Sequence, residues 1–308
     1  MKHVFIVNPA AGVKDSTQKI KELIGKTDLE MDYTIHITGF GGEAIEYVKK
    51  VLSQSGEQIR FYACGGDGTL NEIVNGVIGS DNAEVAVFPC GSGNDYIKYY
   101  GTAEDFSDIG ELAKSPAHRV DALKIGGRYA INAVHFGLDS YVLRTMIKVR
   151  RNMVLGGKRA YTAGVIAGFL GGMSTNCSMW ADGVKIGGDK ILLCTLANGK
   201  YVGGSYKSSP LSHNDDGLIE VCQVNPISRI GFLKLMNTYK RGEHLADVRF
   251  KKYLNYMRAK KVEVAAPREI PVSIDGELIT ARKFTVEIVK SAVNFVVPRK
   301  LLKAEMRV

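Results

Sequence analysis

The chain has 308 residues, a length that at about 150 residues per domain predicts two domains. Hydrophobic residues make up 45% and charged ones 24%, which excludes a disordered, collagen-like or disulfide-scaffold protein. The 41 Lys and Arg against 32 Asp and Glu leave a formal charge of +9. That excess asks for an anionic partner without choosing among nucleic acid, an acidic membrane surface and a phosphorylated small molecule.

Over residues 1–122, β-rich runs alternate with amphipathic ones. Strands are predicted at 4–7, 33–38, 59–64 and 84–89, and helices at 16–24, at 43–52 and after Thr69, where Leu70, Ile73, Val74, Val77 and Ile78 recur at helical spacing. Continuous apolar strands between helices predict a mostly parallel sheet covered on both faces, a three-layer α/β domain. From residue 123 the texture turns β-rich with glycine-containing turns, which predicts an antiparallel second domain over 123–298. Helical stretches at 141–172 and 227–245 interrupt it, and a tail over 299–308 is expected to pack back on the first domain.

Cys64, Cys90, Cys177, Cys194 and Cys222 are widely spaced, with no CxxC pair, so a reducing compartment is expected. The N-terminus has no signal-peptide core, which adds to the expectation of a cytoplasmic protein. The uncharged stretch 160–181 is long enough to span a bilayer. Tyr161, Thr162, Ser174, Thr175, Asn176, Ser178 and four glycines within it would make insertion weak. The histidines include no HExxH, so zinc is not expected.

The strongest local signal is Gly65-Gly66-Asp67-Gly68-Thr69, between an apolar strand and an amphipathic helix. Glycines permit close backbone approach, and the first-turn N–H groups of a helix face an anion. Asp67 fits there if a divalent cation sits between carboxylate and phosphate. Asn8-Pro9-Ala10-Ala11-Gly12 closes the first strand and Gly91-Ser92-Gly93-Asn94-Asp95 follows the fourth, while Thr38 ends the second. Small-residue loops at one sheet edge predict a nucleotide site. No Walker-type P-loop, Gly-x-Gly-x-x-Gly helix start or protein-kinase signature is present.

The three loop segments, with the late Asp275-Gly276-Glu277 as a fourth motif, resemble the diacylglycerol kinase catalytic-domain family, which is related to sphingosine and ceramide kinases. The motifs fall in the family's order from residue 8 to residue 277. The resemblance implies an ATP- and Mg2+-dependent kinase of a lipid hydroxyl, most simply diacylglycerol or a related lipid alcohol. It also implies a first domain like that of phosphofructokinases and NAD kinases, followed by a β-sandwich. By the same resemblance ATP would contact Asn8, Pro9, Ala10, Ala11, Gly12, Thr38, Gly66, Asp67, Gly68, Thr69, Leu70, Asn71, Glu72, Ser92 and Asp95. Asp67 and Asp95, joined by Asp121, would organise catalytic Mg2+. A second, structural Mg2+ would sit on the Asp216 carboxylate and the carbonyls of His213 and Leu218. Asp275 or Glu277 would be the general base; on a strand both would fall on one face.

Between residues 140 and 181 there is no Asp or Glu, while Arg144, Lys148, Arg150, Arg151, Lys158 and Arg159 lie among apolar residues. This segment and a second basic one over 249–261 are the expected places for peripheral contact with an anionic membrane. No nucleic-acid signature accompanies the charge. A kinase of a soluble acceptor, like NAD kinase, and a non-catalytic nucleotide or lipid binder stand as alternatives.

Overall fold

The computed structural model of the chain describes residues 1–12, 15–27, 32–152 and 174–305, with backbone alone over 146–152 and 303–305. Two compact units emerge, one of Met1–Ala122 with Val289–Val308 and one of Leu123–Ile288.

The first unit opens with β1 (Lys2–Val7), α1 (Thr17–Gly25), β2 (Tyr33–Ile37), α2 (Glu43–Ser53), β3 (Ile59–Gly65), α3 (Asp67–Val77), β4 (Ala83–Pro89) and the short α4 (Ile109–Lys114). β1 pairs in parallel with β2 and β3, and β3 with β4, in registers that set Val7 beside Ile37 and Cys64, and Gly65 beside Pro89. All seven residues of β3 are buried, as a parallel strand covered on both faces requires. Its charged member, Arg60, is matched in place by Glu84 at 2.6 Å and by the carbonyls of Leu112 and Ala113. A buried cation paired in this way avoids the cost of a lone one. Helices α2 and α3 approach so closely that a Cβ on Gly76 would lie 2.7 Å from Val48, so glycine is a packing requirement there.

Strand β5 (Ala117–Ile125) leads onward to β6 (Arg128–Ala130), β7 (Ala133–Gly137), α5 (Leu138–Asn152), β8 (Thr175–Asn176), β9 (Ser178–Ala181), β10 (Val184–Ile186), β11 (Lys190–Ile191) and β12 (Leu193–Ala197). Then come β13 (Ile219–Val224), α6 (Arg229–Lys240), β14 (Leu254–Ala259), β15 (Lys261–Ile274) and β16 (Glu277–Val296). The second unit is antiparallel. β14, β13, β12 and β7 pair in sequence, and β15 adds to β7. β15 is a corner strand: residues 262–265 pair with β9, residues 272–274 with β7, and its register against β16 breaks between Ala265 and Ile270. Pro267 lies in that break, where a residue without an N–H does least harm. A strand that changes partner across a bulge serves two sheets of a sandwich. Phe136, Met179, Leu196, Val221, Val264 and Val272 fill the space between.

The end of β16 returns to the first unit, with Asn294 and Phe295 beside Glu84 and Val85 of β4 in parallel. Helix α7 (Arg299–Glu305) follows, tied by the Arg299 N–H to Glu111 and by Lys300 to Asp105. By contacts, the chain from Val289 onward, inside the expected second domain 123–298, groups with the first unit, where β16 adds to β4. The expected helix over 141–172 begins earlier, at Leu138, and is described to Asn152; residues 153–172, including Lys158 and Arg159, lie outside the described residues. So do residues 160–173 of the uncharged stretch. Among the described residues no helix is long and apolar enough to cross a membrane. All five cysteines are free thiols, and burial pushes those of Cys177 and Cys222 up to about 12.

Two histidines are held neutral by burial. His3, hydrogen-bonded to the Tyr62 hydroxyl at 2.8 Å, and His244, 1% exposed, are both lowered from 6.5 to about 4. Between those values the unfolded chain binds protons that the folded one does not, so stability falls as pH drops from 6.5 toward 4 and levels off below. Thermal melts across this window should show a steadily declining melting temperature, and His3→Asn should flatten part of the decline. A flat profile in the unsubstituted protein contradicts this reading.

Candidate active site

In a parallel sheet every strand ends on the same edge, so the loops after β1, β3 and β4 converge. Their contacts are close. A Cβ on Gly91 would lie 2.6 Å from Gly66 Cα, and one on Gly12, at φ +82, 2.3 Å from the Cys90 carbonyl oxygen. The N–H groups of Cys90 and Gly91 both donate to the Gly65 carbonyl, and the Asn8 side-chain amide donates to Thr69 Oγ1 at 3.3 Å. Asp67 ties two loops together: its Oδ1 accepts the N–H of Asp95 at 2.6 Å and of Tyr96 at 3.2 Å. Asp95 is met by Lys98 at 2.7 Å.

The ladder of α3 starts with the Leu70 N–H on the Gly66 carbonyl. The amides before it lie at the positive end of the helix dipole, an arrangement suited to an anion. Thr38 donates from both its N–H and its hydroxyl to the Val7 carbonyl. The next loop is pinned from two sides. Glu43 accepts the Gly39 N–H at 2.6 Å, a bond that holds its carboxyl below the usual range, and Glu72 accepts the N–H groups of Gly42 and Ala44. Between these pins Phe40 stands 64% exposed.

The expected nucleotide residues do not all share one role. Asn8, Gly12, Gly66, Asp67, Thr69 and Asp95 come together in the contacts above, and Ser92 is exposed on the β4 loop. Leu70 is 2% exposed within the core, and Glu72 is spent on the start of α2. Asp121 is a correction. Its carboxylate accepts the Ser291 N–H at 2.7 Å, and β5 runs from Pro116, whose carbonyl takes the Val297 N–H, back along β16. Since β16 is parallel to β4, Ser291 lies at the level where β4 begins, and Arg119 beside it reaches Asp81. Asp121 thus sits at the opposite sheet edge, about 26 Å from the loops at some 3.3 Å per residue, and cannot join Asp67 and Asp95.

Among the described residues no group of three or more His, Cys, Asp or Glu is gathered for a metal ion. Mg2+ is commonly bound by one or two carboxylates plus phosphate oxygens, and Asp67 and Asp95 on adjoining loops fit that donor set. At the other expected cation site, Asp216 Oδ1 accepts the Leu218 N–H at 3.0 Å and the Arg258 guanidinium lies 3.6 Å from its other oxygen.

In the second unit Asp275 and Glu277 do not share a strand face as expected. Asp275 (φ 46) and Gly276 (φ 94) are the two-residue turn between β15 and β16, with Ile274 paired to Glu277, so the period-two rule does not apply. Asp275, 8% exposed, accepts the N–H groups of Ile131, Asn132 and Ala133 at 2.8 to 3.1 Å. Glu277 is open to solvent and faces Arg128 at 3.0 Å.

Residues 2–125 match the Diacylglycerol kinase catalytic domain, and residues 132–297 the YegS C-terminal NAD kinase beta sandwich-like domain. The chain belongs to the diacylglycerol kinase catalytic-domain family, in its two-domain form, and is a phosphotransferase of the lipid kinase type. A diacylglycerol kinase of Bacillus subtilis (strain 168) is 26% identical over 285 residues, 89% of this chain and 88% of that one. A Shewanella frigidimarina (strain NCIMB 400) protein named a probable lipid kinase, YegS-like, is 27% identical over 239 residues, 76% of this chain and 75% of that one. A solved diacylglycerol kinase from Bacillus anthracis str. Sterne has the same fold, with a TM-score of 0.70 at 21% identity over 97% of this chain and 98% of that one.

The loop contacts predict a sharp contrast between two glycines. Gly91→Ala sets a Cβ against the backbone of Gly66, whereas nothing lies within 4 Å of one on Gly68. Gly91→Ala should destabilise the protein by about 1–3 kcal/mol and Gly68→Ala far less, as read from denaturant unfolding. Equal effects would refute the close loop contact.

Proposed function

We propose that the protein transfers the γ-phosphoryl group of ATP to the hydroxyl of a lipid alcohol such as diacylglycerol. The observation that carries this reading is the joining of three strand-end loops through Asp67 and through glycines that admit no side chain. The loop amides and the start of α3 hold the phosphates, with Asn8 and Thr69 fixing the first loop to the second. Mg2+, held by Asp67 and Asp95, would neutralise charge on the phosphates. A further structural Mg2+ on Asp216 and the carbonyls of His213 and Leu218 would share that carboxylate with Arg258.

Glu277 is the proposed proton acceptor, because an exposed ion pair with Arg128 is readily exchanged for a substrate hydroxyl. Asp275 is the positioning residue: its oxygens order the 131–133 backbone. The base of ATP is proposed to stack on Phe40. β2 lies two strands from β3, about 10 Å away, which suits a nucleotide laid across the sheet edge with its phosphates on Gly66–Thr69. The acceptor implies peripheral contact with a membrane and a cytoplasmic setting.

Incubation with labelled ATP, Mg2+ and extracted lipids, beside soluble acceptors including NAD, should put label into the lipid fraction; label in the soluble fraction alone refutes the lipid reading. Glu277→Gln should lower kcat about 10²- to 10⁴-fold with ATP binding and melting temperature kept. Asp275→Ala should lower the melting temperature as well, since it leaves three buried N–H groups unmatched. Full turnover in Glu277→Gln would overturn the base assignment.

Phe40→Ala should weaken ATP binding about 5- to 100-fold, the range for one lost stacking contact, and leave tripolyphosphate binding unchanged. Phe40→Trp should retain ATP affinity. An equal loss for both ligands in Phe40→Ala would mean that Phe40 holds the loop and not the base.

A further inference from the structure

Helix α6 carries apolar side chains on its outer face as well as its inner one. The Ser228 hydroxyl accepts the Gly231 N–H and fixes its start, and Leu235 and Thr238 face inward. Phe232 and Tyr239 pack beside the small cluster of Leu138, Leu192, Leu193 and Val224. The inner face is therefore satisfied. Yet Ile230 is 68% exposed and Leu233, one turn on, 55%. They share the outward face with Lys234, and Asp and Glu are absent from the helix.

The turn that packs beside α6 repeats the pattern. Arg249 reaches Thr238 of the helix, and Val248 next to it is 83% exposed, followed by the exposed Lys251 and Lys252. Exposed aliphatic side chains beside Lys234, Lys251 and Lys252, for which no ion pair is seen among the described residues, match one kind of partner, the headgroup and upper acyl region of an anionic bilayer. Nucleic acid has no use for the aliphatic groups, and a second copy of the chain would set these cations against themselves.

We infer that α6, with the turn at Val248–Phe250, is the surface that docks on an anionic lipid bilayer, Ile230, Leu233 and Val248 entering the interface and Lys234, Lys251 and Lys252 meeting headgroups. The inference rests on the lipid-acceptor reading for its purpose, and within the basic stretch 249–261 it narrows the membrane contact to Lys251 and Lys252. In the basic stretch 249–261, Arg249, Arg258 and Lys261 are each already paired, with Asp247, Glu220 and Glu263.

Co-sedimentation without ATP tests it, using phosphatidylcholine vesicles with and without phosphatidylglycerol. The wild type should bind the anionic vesicles, and less so as salt rises. The double variant Ile230→Ser/Leu233→Ser should lose about tenfold or more in partition, and Lys234→Gln/Lys251→Gln/Lys252→Gln should lose the preference for phosphatidylglycerol. Val184→Ser, which removes an equally exposed apolar residue on β10, should bind as wild type, and circular dichroism should show all variants folded. Wild-type failure to bind, or undiminished binding by the Ile230/Leu233 variant, overturns the inference. So does a wild-type dimer that this variant converts to monomer in analytical ultracentrifugation, since the face would then be a subunit contact. Because co-sedimentation reads no turnover, vesicle binding here together with no lipid labelling in the ATP assay would refute the kinase reading and leave the surface standing.

Discussion

The structure depends on a backbone contact that only the absence of side chains permits. Neighbouring strands lie about 4.8 Å apart, so the loops after β1, β3 and β4 must fit into a span of roughly two strand spacings and still turn their amides outward. Gly66 against Gly91 and Gly12 against Cys90 make that possible. Glycine alone would leave the loops loose, and Asp67 supplies the missing constraint by accepting two amides from the neighbouring loop. The groups that would meet phosphate are thus ordered before any ligand arrives, which lowers the ordering cost of binding.

The carboxylates divide by what holds them. Asp67 and Asp275 accept backbone N–H groups, whereas Lys98 lies against Asp95 and Arg128 against Glu277. A side-chain ion pair near solvent can exchange partners at small cost. A carboxylate that orders several amides cannot leave without stranding them. In the second unit the fixed Asp275 and the solvent-facing Glu277 thus differ in what binds them, although the two residues look alike in sequence.

Much of the first unit was legible because its signals are local. Strand, glycine turn and amphipathic helix follow one another in the chain, so the parallel sheet and the loops at Asn8, Gly65 and Gly91 could be read residue by residue. Asp121 could not be placed that way. Its edge of the sheet is set by β16, which returns from more than 150 residues later to lie beside β4. The Asp275 turn was legible in principle: Asp-Gly between two apolar runs is a hairpin signal, and treating 275–277 as strand overrode it. The structural duty of Glu72 was hidden because it depends on α2 and α3 lying side by side, with Gly76 as the one local sign of close packing.

The charge of +9 illustrates the same limit in another form. A count cannot tell a cation with an internal task from one without. Arg60 neutralises Glu84 inside the first unit, Arg258 does the same for Glu220 in the second, and Arg299 closes on the carbonyl of Lys114. Basic residues clustered in sequence are often clustered because acids fold against them, as the pairs within 249–261 show. The cations left for a partner are those whose neighbours in space are apolar and exposed, a condition that joins charge to burial and is met on α6 by Lys234 beside Ile230 and Leu233. An outward aliphatic pair leaves apolar surface in contact with water in the isolated protein, and a bilayer partner would remove that contact.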